Sequence, residues 1–445
     1  MSFKPYPKYK ESGVEWLGRV PEHWEVCRSD AVLGTCRTTI GPESLAGKPV
    51  FHYSIPVIQL TGDGQHEDGS EIDSGKLVVT EPQVLVSKLN PRKGTVCIAL
   101  PQGVLTVCSS EFVPLLPRRA DIRFVWYLVQ TENYRTRLES LVESATKSHQ
   151  RASPSDIYRV TWAFPTKEEQ GGIATFLDHE TAKIDALIAE QQRLIELLQE
   201  KRQAVISHAV TKGLNPNAPM KDSGIEWLGE VPEHWEVRRI SSLSTKITNG
   251  YVGPTRDILV DSGVRYLQSL HIKNNSIAFN DAYFVKKEWS DAHAKSILQE
   301  GDVLIVQTGD IGQAAVVPKE FEGCNCHALI IVAPVREVLT GDWLGWVLNS
   351  DYGFHSLLSI QTGALHPHLN CGDVKDLSVP IPPLNEQREV SEAIVDRIGS
   401  ITSLLDEATI AIALLQERRS ALISAAVTGQ IDVRGFSAGG GSEAP

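Results

Sequence analysis

Side chains able to do chemistry are thinly spread along this 445-residue chain. His366-Pro367-His368 with Cys371 offers three metal ligands, and Cys324-Asn325-Cys326-His327 offers three more. Neither set has the usual spacing of a zinc site, an evident fourth ligand or a second shell. A polar loop is the better account of the first and a strand edge of the second, so no metal is expected. His23 and His234 each stand in a Pro-Glu-His-Trp setting. General acid–base work would require a carboxylate or nucleophile beside them, and the motif identifies none. Trp16, Trp24, Trp227 and Trp235 read instead as anchors that seat the start of each half. There is no Gly-x-x-x-x-Gly-Lys-Ser/Thr loop, no Gly-rich cofactor loop and no Asn/Asp-Pro-Pro-Tyr/Phe segment. The expectation is a chain with no catalytic residue and no cofactor of its own.

What remains is a set of polar loops. Thr146, Lys147, Ser148, His149, Gln150 and Arg151 form one, and Thr362, His366, His368 and Asn370 stand at nearly the same place in the second half. Lys88, Asn90, Arg92 and Lys93 form a turn between two apolar runs, as do Gln307 and Thr308. Gln268, His271 and Lys273 make a weaker third group. These are the donor and acceptor types that hold phosphates or read base edges, so all are candidate DNA contacts. Ordinary solvated loops are the competing account. The net charge of −12 speaks against nucleic acid in bulk, yet the run Val84 to Gly94 carries Lys88, Arg92 and Lys93 with no acid.

The elements that must position these loops occur twice. Ser12-Gly13-Val14-Glu15-Trp16-Leu17-Gly18, followed by Val20-Pro21-Glu22-His23-Trp24-Glu25-Val26, returns as Ser223 to Gly229 and Val231 to Val237, an offset of 211 residues. Phe164-Pro165-Thr166-Lys167-Glu168-Glu169-Gln170 corresponds to Ile381-Pro382-Pro383-Leu384-Asn385-Glu386-Gln387, here at an offset of 217. Segments 27–163 and 238–380 between these blocks resemble each other only faintly. Similar frames therefore carry different contents.

After each closing block the apolar residues alternate in steps of three and four. In the second half they fall at Ile398, Ile401, Leu405, Ala408, Ile412, Leu415, Leu422 and Ala426; in the first, Thr181, Ile184, Ile188, Gln191, Ile195, Leu198, Val205 and Ala209 keep the same register. This is a coiled-coil seam, with Arg202 and Arg419 in one common slot. A helix over 178–210 would be on the order of 50 Å long. A homodimerising coiled coil is one reading. Pairing of the two helices inside one chain, antiparallel about a pseudo-twofold, is the stronger, because their seams match. The heads read as α+β: Val84 to Ser87 and Val303 to Val306 as buried strands, 95–99 and 314–317 as their hairpin partners, and 124–142 and 343–358 as helical. Seven cysteines without a Cys-x-x-Cys pair suggest reduced thiols. No uninterrupted apolar run reaches eighteen residues and the N-terminus has no signal-peptide core, so a cytoplasmic chain with no membrane is expected.

The doubled Ser-Gly-x-Glu-Trp-Leu-Gly-x-Val-Pro-Glu-His-Trp-Glu-Val phrase resembles the opening of specificity subunits of type I restriction-modification systems. Pro382 to Gln387 and Gln416 to Ile423 resemble that family's conserved-region helices, and the likeness runs from about residue 11 to about 435. It implies two α/β target-recognition domains, 1–163 and 216–380, separated by two antiparallel coiled-coil helical regions, 164–215 and 381–435; the Gly/Ser-rich composition of the chain's end separately suggests a disordered tail at 436–445. It implies that each domain reads one half of a bipartite, asymmetric site in double-stranded DNA and that the helices set the gap. It further implies docking of two modification (methyltransferase) subunits, joined in the restricting form by two motor and nuclease subunits. S-adenosylmethionine, ATP and Mg would belong to those partners. The first half departs from the pattern with Thr166-Lys167-Glu168 and with the polar Gln191 in the seam. A coiled-coil scaffold that arranges proteins without reading bases is the alternative function.

Overall fold

The apolar runs become strands buried on both faces, which is why they show no alternation. A computed structural model describes residues 4–142 and 150–436. The chain divides into two units, Met1–Gln191 with Ile410–Pro445, and Gln192–Thr409.

In the first unit, Gln83–Ser87 is the buried heart of a four-stranded antiparallel sheet, between Val96–Ala99 and Phe112–Pro117, with Leu33–Gly34 at the edge. Val84 and Val86 face Phe124, Tyr127 and Leu128, whereas Leu85 packs with Phe51, Tyr53 and Cys97 on the other side. A five-stranded sheet of order Thr39–Ile40, Lys76–Val78, Leu105–Ser109, Pro49–Tyr53, Gln65–Asp68 adjoins it, and contains a parallel pair at its centre. The second unit repeats the first sheet: Val303–Val306 lies between Ala314–Val316 and Leu329–Pro334, with Ser244–Asn249 outermost. Val303 and Ile305 face Trp343, Leu344 and Val347; Leu304 and Val306 face Leu267 and Phe321.

The helical stretches behind these sheets are each two helices rather than one, Ile122–Gln130 with Glu132–Ser140, and Gly341–Leu348 with Asp351–Ser359. The break is chemical. Thr131 Oγ1 caps the Tyr134 amide and Ser350 Oγ caps the Gly353 amide, so each hydroxyl starts a new helix.

The repeated phrases find each other. Glu25–Arg28 pairs with Thr161–Phe164, and Glu236–Arg239 with Ser378–Ile381, which brings the opening of each half onto its closing block. The Glu of that block then takes the indole and imidazole of the opening phrase. Glu169 Oε1 accepts from Trp24 Nε1 at 3.2 Å and its Oε2 lies 2.8 Å from His23 Nε2; Glu386 does the same for Trp235 at 3.1 Å and His234 at 2.7 Å. The following Gln closes the clasp. Gln170 accepts from the Asp121 amide and donates to the Pro165 carbonyl, and Gln387 accepts from Thr340 and donates to Pro382. The carboxylate partner that the His motif does not reveal is thus supplied in both halves from far along the chain.

Three of the four anchoring tryptophans behave as expected. Trp24 and Trp235 are fully buried, and Trp16 packs on Trp162 with ring centroids 4.9 Å apart. Trp227 is 60% exposed. At the place of Trp162 the second unit has Val379, too small to receive a second indole.

The long helices run Lys167–Lys212 and Leu384–Val427. The first starts eleven residues earlier than the periodicity suggested, since Gly171 and Gly172 did not interrupt it; at 46 residues it is on the order of 69 Å long. Every seam position named above is buried or half-buried. In the first unit Ile173, Phe176 and Leu177 share one core with Ile423, Ala426 and Val427; in the second, Ile206, Ala209 and Val210 share one with Val390, Ile394 and Ile398. In each unit the entry of one helix therefore packs with the exit of the other. Both helices stop at a left-handed glycine, Gly213 and Gly429. A Cβ on Gly429 would come within 2.5 Å of Pro21 beside Trp24, so the stop also seats the helix end on the opening phrase.

The helix Leu384–Val427 is long and apolar enough by length and composition to cross a bilayer, with a window of mean hydropathy 1.6. Averaging passes over Asp406 and Glu407, which interrupt the apolar run. The tail is tied further than its composition suggested. Asp432 N donates to the Lys4 carbonyl, and the Phe436 ring packs edge-on against Phe176 at 5.2 Å. Residues from 437 lie outside those described.

Candidate nucleic-acid interface

Each unit brings a turn and a loop together by the same backbone device. In the first, the turn after strand Gln83–Ser87 is stitched to the segment before the closing strand: the Asn90 amide donates to the Gln150 carbonyl at 2.7 Å, and the Ala152 amide donates to Lys88 at 2.9 Å. In the second, the turn after Val303–Val306 meets its loop the same way, with the Leu369 amide on the Gln307 carbonyl at 3.0 Å and a bridge between Thr308 and His368.

Lys88, Asn90, Arg92, Lys93, Gln150 and Arg151 thereby fall on one surface. Arg92, Lys93 and Arg151 are exposed, Lys88, Asn90 and Gln150 half-buried. The turn is held by left-handed Asn90 and Gly94, a conformation that asparagine and glycine adopt most readily. A side chain at Gly94 would strike Arg135 at 2.9 Å, so this arginine from helix Glu132–Ser140 runs directly under the turn. Nothing in the sequence analysis singles out Arg135. Only its helical position could have signalled it, by placing it on the face toward the turn. Glu111 accepts from Arg151 at 3.0 Å. Thr146, Lys147, Ser148 and His149 lie outside the described residues.

The second unit presents a different, less charged face. Thr362 and His368 exchange backbone hydrogen bonds at 2.8 and 2.9 Å, and Asn370 Nδ2 donates to Thr362 Oγ1 at 3.1 Å. Thr308, Thr362 and His366 are exposed, and Leu365 at the loop tip is 89% exposed. Lys273 is exposed on a hairpin turned by Asn274 and Asn275, both left-handed, and Gln313 accepts from the Asn274 amide at 3.2 Å.

Three candidates turn inward. His271 is fully buried: its Nδ1 accepts from the Gln268 amide at 2.9 Å and its Nε2 lies 2.8 Å from the Asp281 carbonyl. Gln268 is half-buried in the same turn. Gln307 is buried and donates to the Leu369 carbonyl at 3.0 Å, so it braces the loop instead of facing solvent. The side chains of His271 and Gln307 are thus taken up by backbone groups that the fold brings to them, the Gln268 amide and the Asp281 carbonyl for the first and the Leu369 carbonyl for the second.

The two histidine–cysteine clusters are similarly absorbed. Cys371 Sγ donates to Asn249 Oδ1 at 2.8 Å, and Cys326 is fully buried, its thiol pushed up in pKa by burial. Among the described residues no group of three His, Cys, Asp or Glu side chains is arranged to hold a metal ion.

Residues 232–412 match the family model for the type I restriction modification DNA specificity domain. Over 441 residues the chain is 22% identical to the MjaVIII specificity subunit of Methanocaldococcus jannaschii, covering 96% of this chain and 97% of that one. The EcoBI specificity subunit of Escherichia coli is 23% identical over 274 residues, covering 60% and 57% of the two chains. Among solved structures, a chain from work on complex assembly and conformational transition of the type I R-M system aligns with a TM-score of 0.73 and 16% identity, over 93% of this chain and 99% of that one. The HsdS subunit of Thermoanaerobacter tengcongensis aligns at 0.51 with 17% identity, over 93% and 98%.

Proposed function

The chain belongs to the specificity-subunit family of type I restriction-modification systems, and from that premise we propose that it reads a bipartite, asymmetric DNA site, one half-site per unit. The carrying observation is the turn-and-loop surface, built by equivalent backbone bonds in both units yet lined by different side chains. One frame used twice with different contents is what reading two unlike half-sites requires. Lys88, Arg92, Lys93 and Arg151 suit phosphate contact, and Thr308, Thr362, His366 and Asn370 suit base edges. The paired long helices serve as a coiled-coil ruler for the gap between half-sites.

Under this reading catalysis belongs to partners. Two modification subunits bring S-adenosylmethionine, and motor and nuclease subunits bring ATP and Mg. Support for docking comes from the helix faces turned away from the seam. The first unit exposes Leu187, Ile410 and Leu414 on these helices, and the second exposes Leu194, Leu197, Val395 and Leu404. The test is selection of bound duplexes from a random pool by the chain with its modification subunits. Two fixed blocks separated by a constant unspecified gap are expected. A single continuous block would sink the two-headed reading.

A further inference from the structure

In the first unit an arginine ties the head to the long helix. Arg123, in the first turn of Ile122–Gln130, donates to Asp178 Oδ2 at 2.6 Å and to Thr175 Oγ1 at 3.4 Å. Tyr127, one turn on, donates to Asp178 Oδ1 at 2.8 Å. The second unit repeats this frame, because Gln170 receives the Asp121 amide as Gln387 receives that of Thr340. Counting from those anchors, Asp342 stands at the place of Arg123, and Trp346 at that of Tyr127. On the long helix Glu392 replaces Thr175, Val395 replaces Asp178 and Ser391 replaces Ala174. The cation and the carboxylate of Asp178 are lost, and the carboxylates of Asp342 and Glu392 are gained.

A cleft of about 710 Å³ lies there, entirely within the second unit. Ile277, Val316 and Trp346 line its apolar side, and Glu300, Glu320, Asp342, Glu392 and Asp396 its acidic side. Among the described residues none of these carboxylates is in an ion pair; Arg336 and Arg265 reach only the backbone carbonyls of Glu300 and Glu320, at 2.5 and 3.1 Å. Ser391 lines the same cleft, is 7% exposed, and its buried Oγ has no hydrogen-bond partner. A buried acceptor, an aromatic wall and unneutralised carboxylates together match a guanidinium.

We propose that this cleft receives an arginine carried by a partner protein, seated where Arg123 sits from within in the first unit. The inference rests on the reading that modification subunits dock on the helix faces, for Val395 is one of the exposed apolar side chains of those faces and also lines the cleft. It makes the two docking sites unequal. The subunit on the second unit gains a charged anchor that the first unit has already satisfied internally.

Asp342→Arg supplies the missing cation in cis, as the first unit does, and should fold. Titration of the full chain with its modification subunit, followed by native mass spectrometry, is expected to show two bound copies for the wild type. Asp342→Arg should weaken one of the two by about tenfold or more and leave the other unchanged. Glu392→Gln with Asp396→Asn, both exposed and safe for folding, should weaken the same step about threefold and flatten its salt dependence. If both variants bind two copies with wild-type affinity and salt dependence, the arginine site is wrong. If Asp342→Arg instead abolishes self-association of the chain alone, the occupant is a second copy and the proposal falls. Leu404→Glu and Leu414→Glu separate the two readings: if they too release nothing, docking on the helices has failed, whereas release by these alone refutes only the arginine site.

Discussion

Glu386 carries a prediction that can be worked from distances. Its carboxylate accepts from Trp235 Nε1 at 3.1 Å and lies 2.7 Å from His234 Nε2. Trp235 is fully buried and packs edge-on against Trp343 at 5.4 Å, so its N–H has no route to water. Glu386→Ala would orphan that donor, which costs about 1–3 kcal/mol. The His234 contact adds little, because half of that side chain is exposed. A loss of about 2 kcal/mol is expected, or a fall in Tm of about 4–8 °C for a unit of this size. Glu386→Gln keeps an oxygen for the indole and should cost about 1 kcal/mol or less. Urea unfolding followed by tryptophan fluorescence and circular dichroism reads both. Glu386→Ala within about 0.5 kcal/mol of wild type, or Gln as damaging as Ala, would refute the clasp.

Arg92→Ala and Lys93→Ala should each weaken DNA binding similarly on all sequences and lower the salt slope by about one; a sequence-selective loss would place these residues on bases instead. Thr402→Asp should stabilise the second unit by about 0.5–1 kcal/mol in chemical denaturation. Position 402 matches Asp185, which holds Arg419 at 2.9 Å in the first unit, whereas the equivalent Arg202 has a buried Nε without a partner. A Thr402→Asn control that is equally stable would contradict this. His52 is held below the usual imidazole pKa by burial, which outweighs the neighbouring Glu67 carboxylate. Below about pH 6.5 the unfolded chain takes up a proton that the folded site resists, so stability present above that value is lost as pH falls. His52→Gln should flatten the dependence of stability between about pH 7 and pH 5, and an unchanged slope would exclude His52 as its source.

The frame was legible because repetition is visible without any fold. Two copies of Pro-Glu-His-Trp and of Glu-Gln mark the doubled frame, two seams in one register mark the long helices, and short apolar runs mark the central hairpins. Pairing across the chain was not legible. Nothing local marks Glu169 as the partner of His23, and nothing local distinguishes Trp227, exposed, from Trp16, which has Trp162 to rest on. The polar candidates divided for the same reason. Arg92 and Lys93 end in solvent, but His271 and Gln307 meet backbone groups that only the closed fold delivers. Arg135 reaches the turn from a helix some forty residues away.

If two unlike readers are held at a distance set by the helices, longer helices must widen the gap between the half-sites. The direct measurement is a genome-wide methylation map from cells expressing the chain with its modification subunit, compared with one from a variant lengthened by seven residues in each long helix, after Ile188 and after Leu405. Seven residues keep the alternation of the seam and add about 10 Å. Both half-sites should stay the same while the unspecified gap grows by about two or three base pairs. An unchanged gap, or altered bases in either half-site, would contradict the ruler.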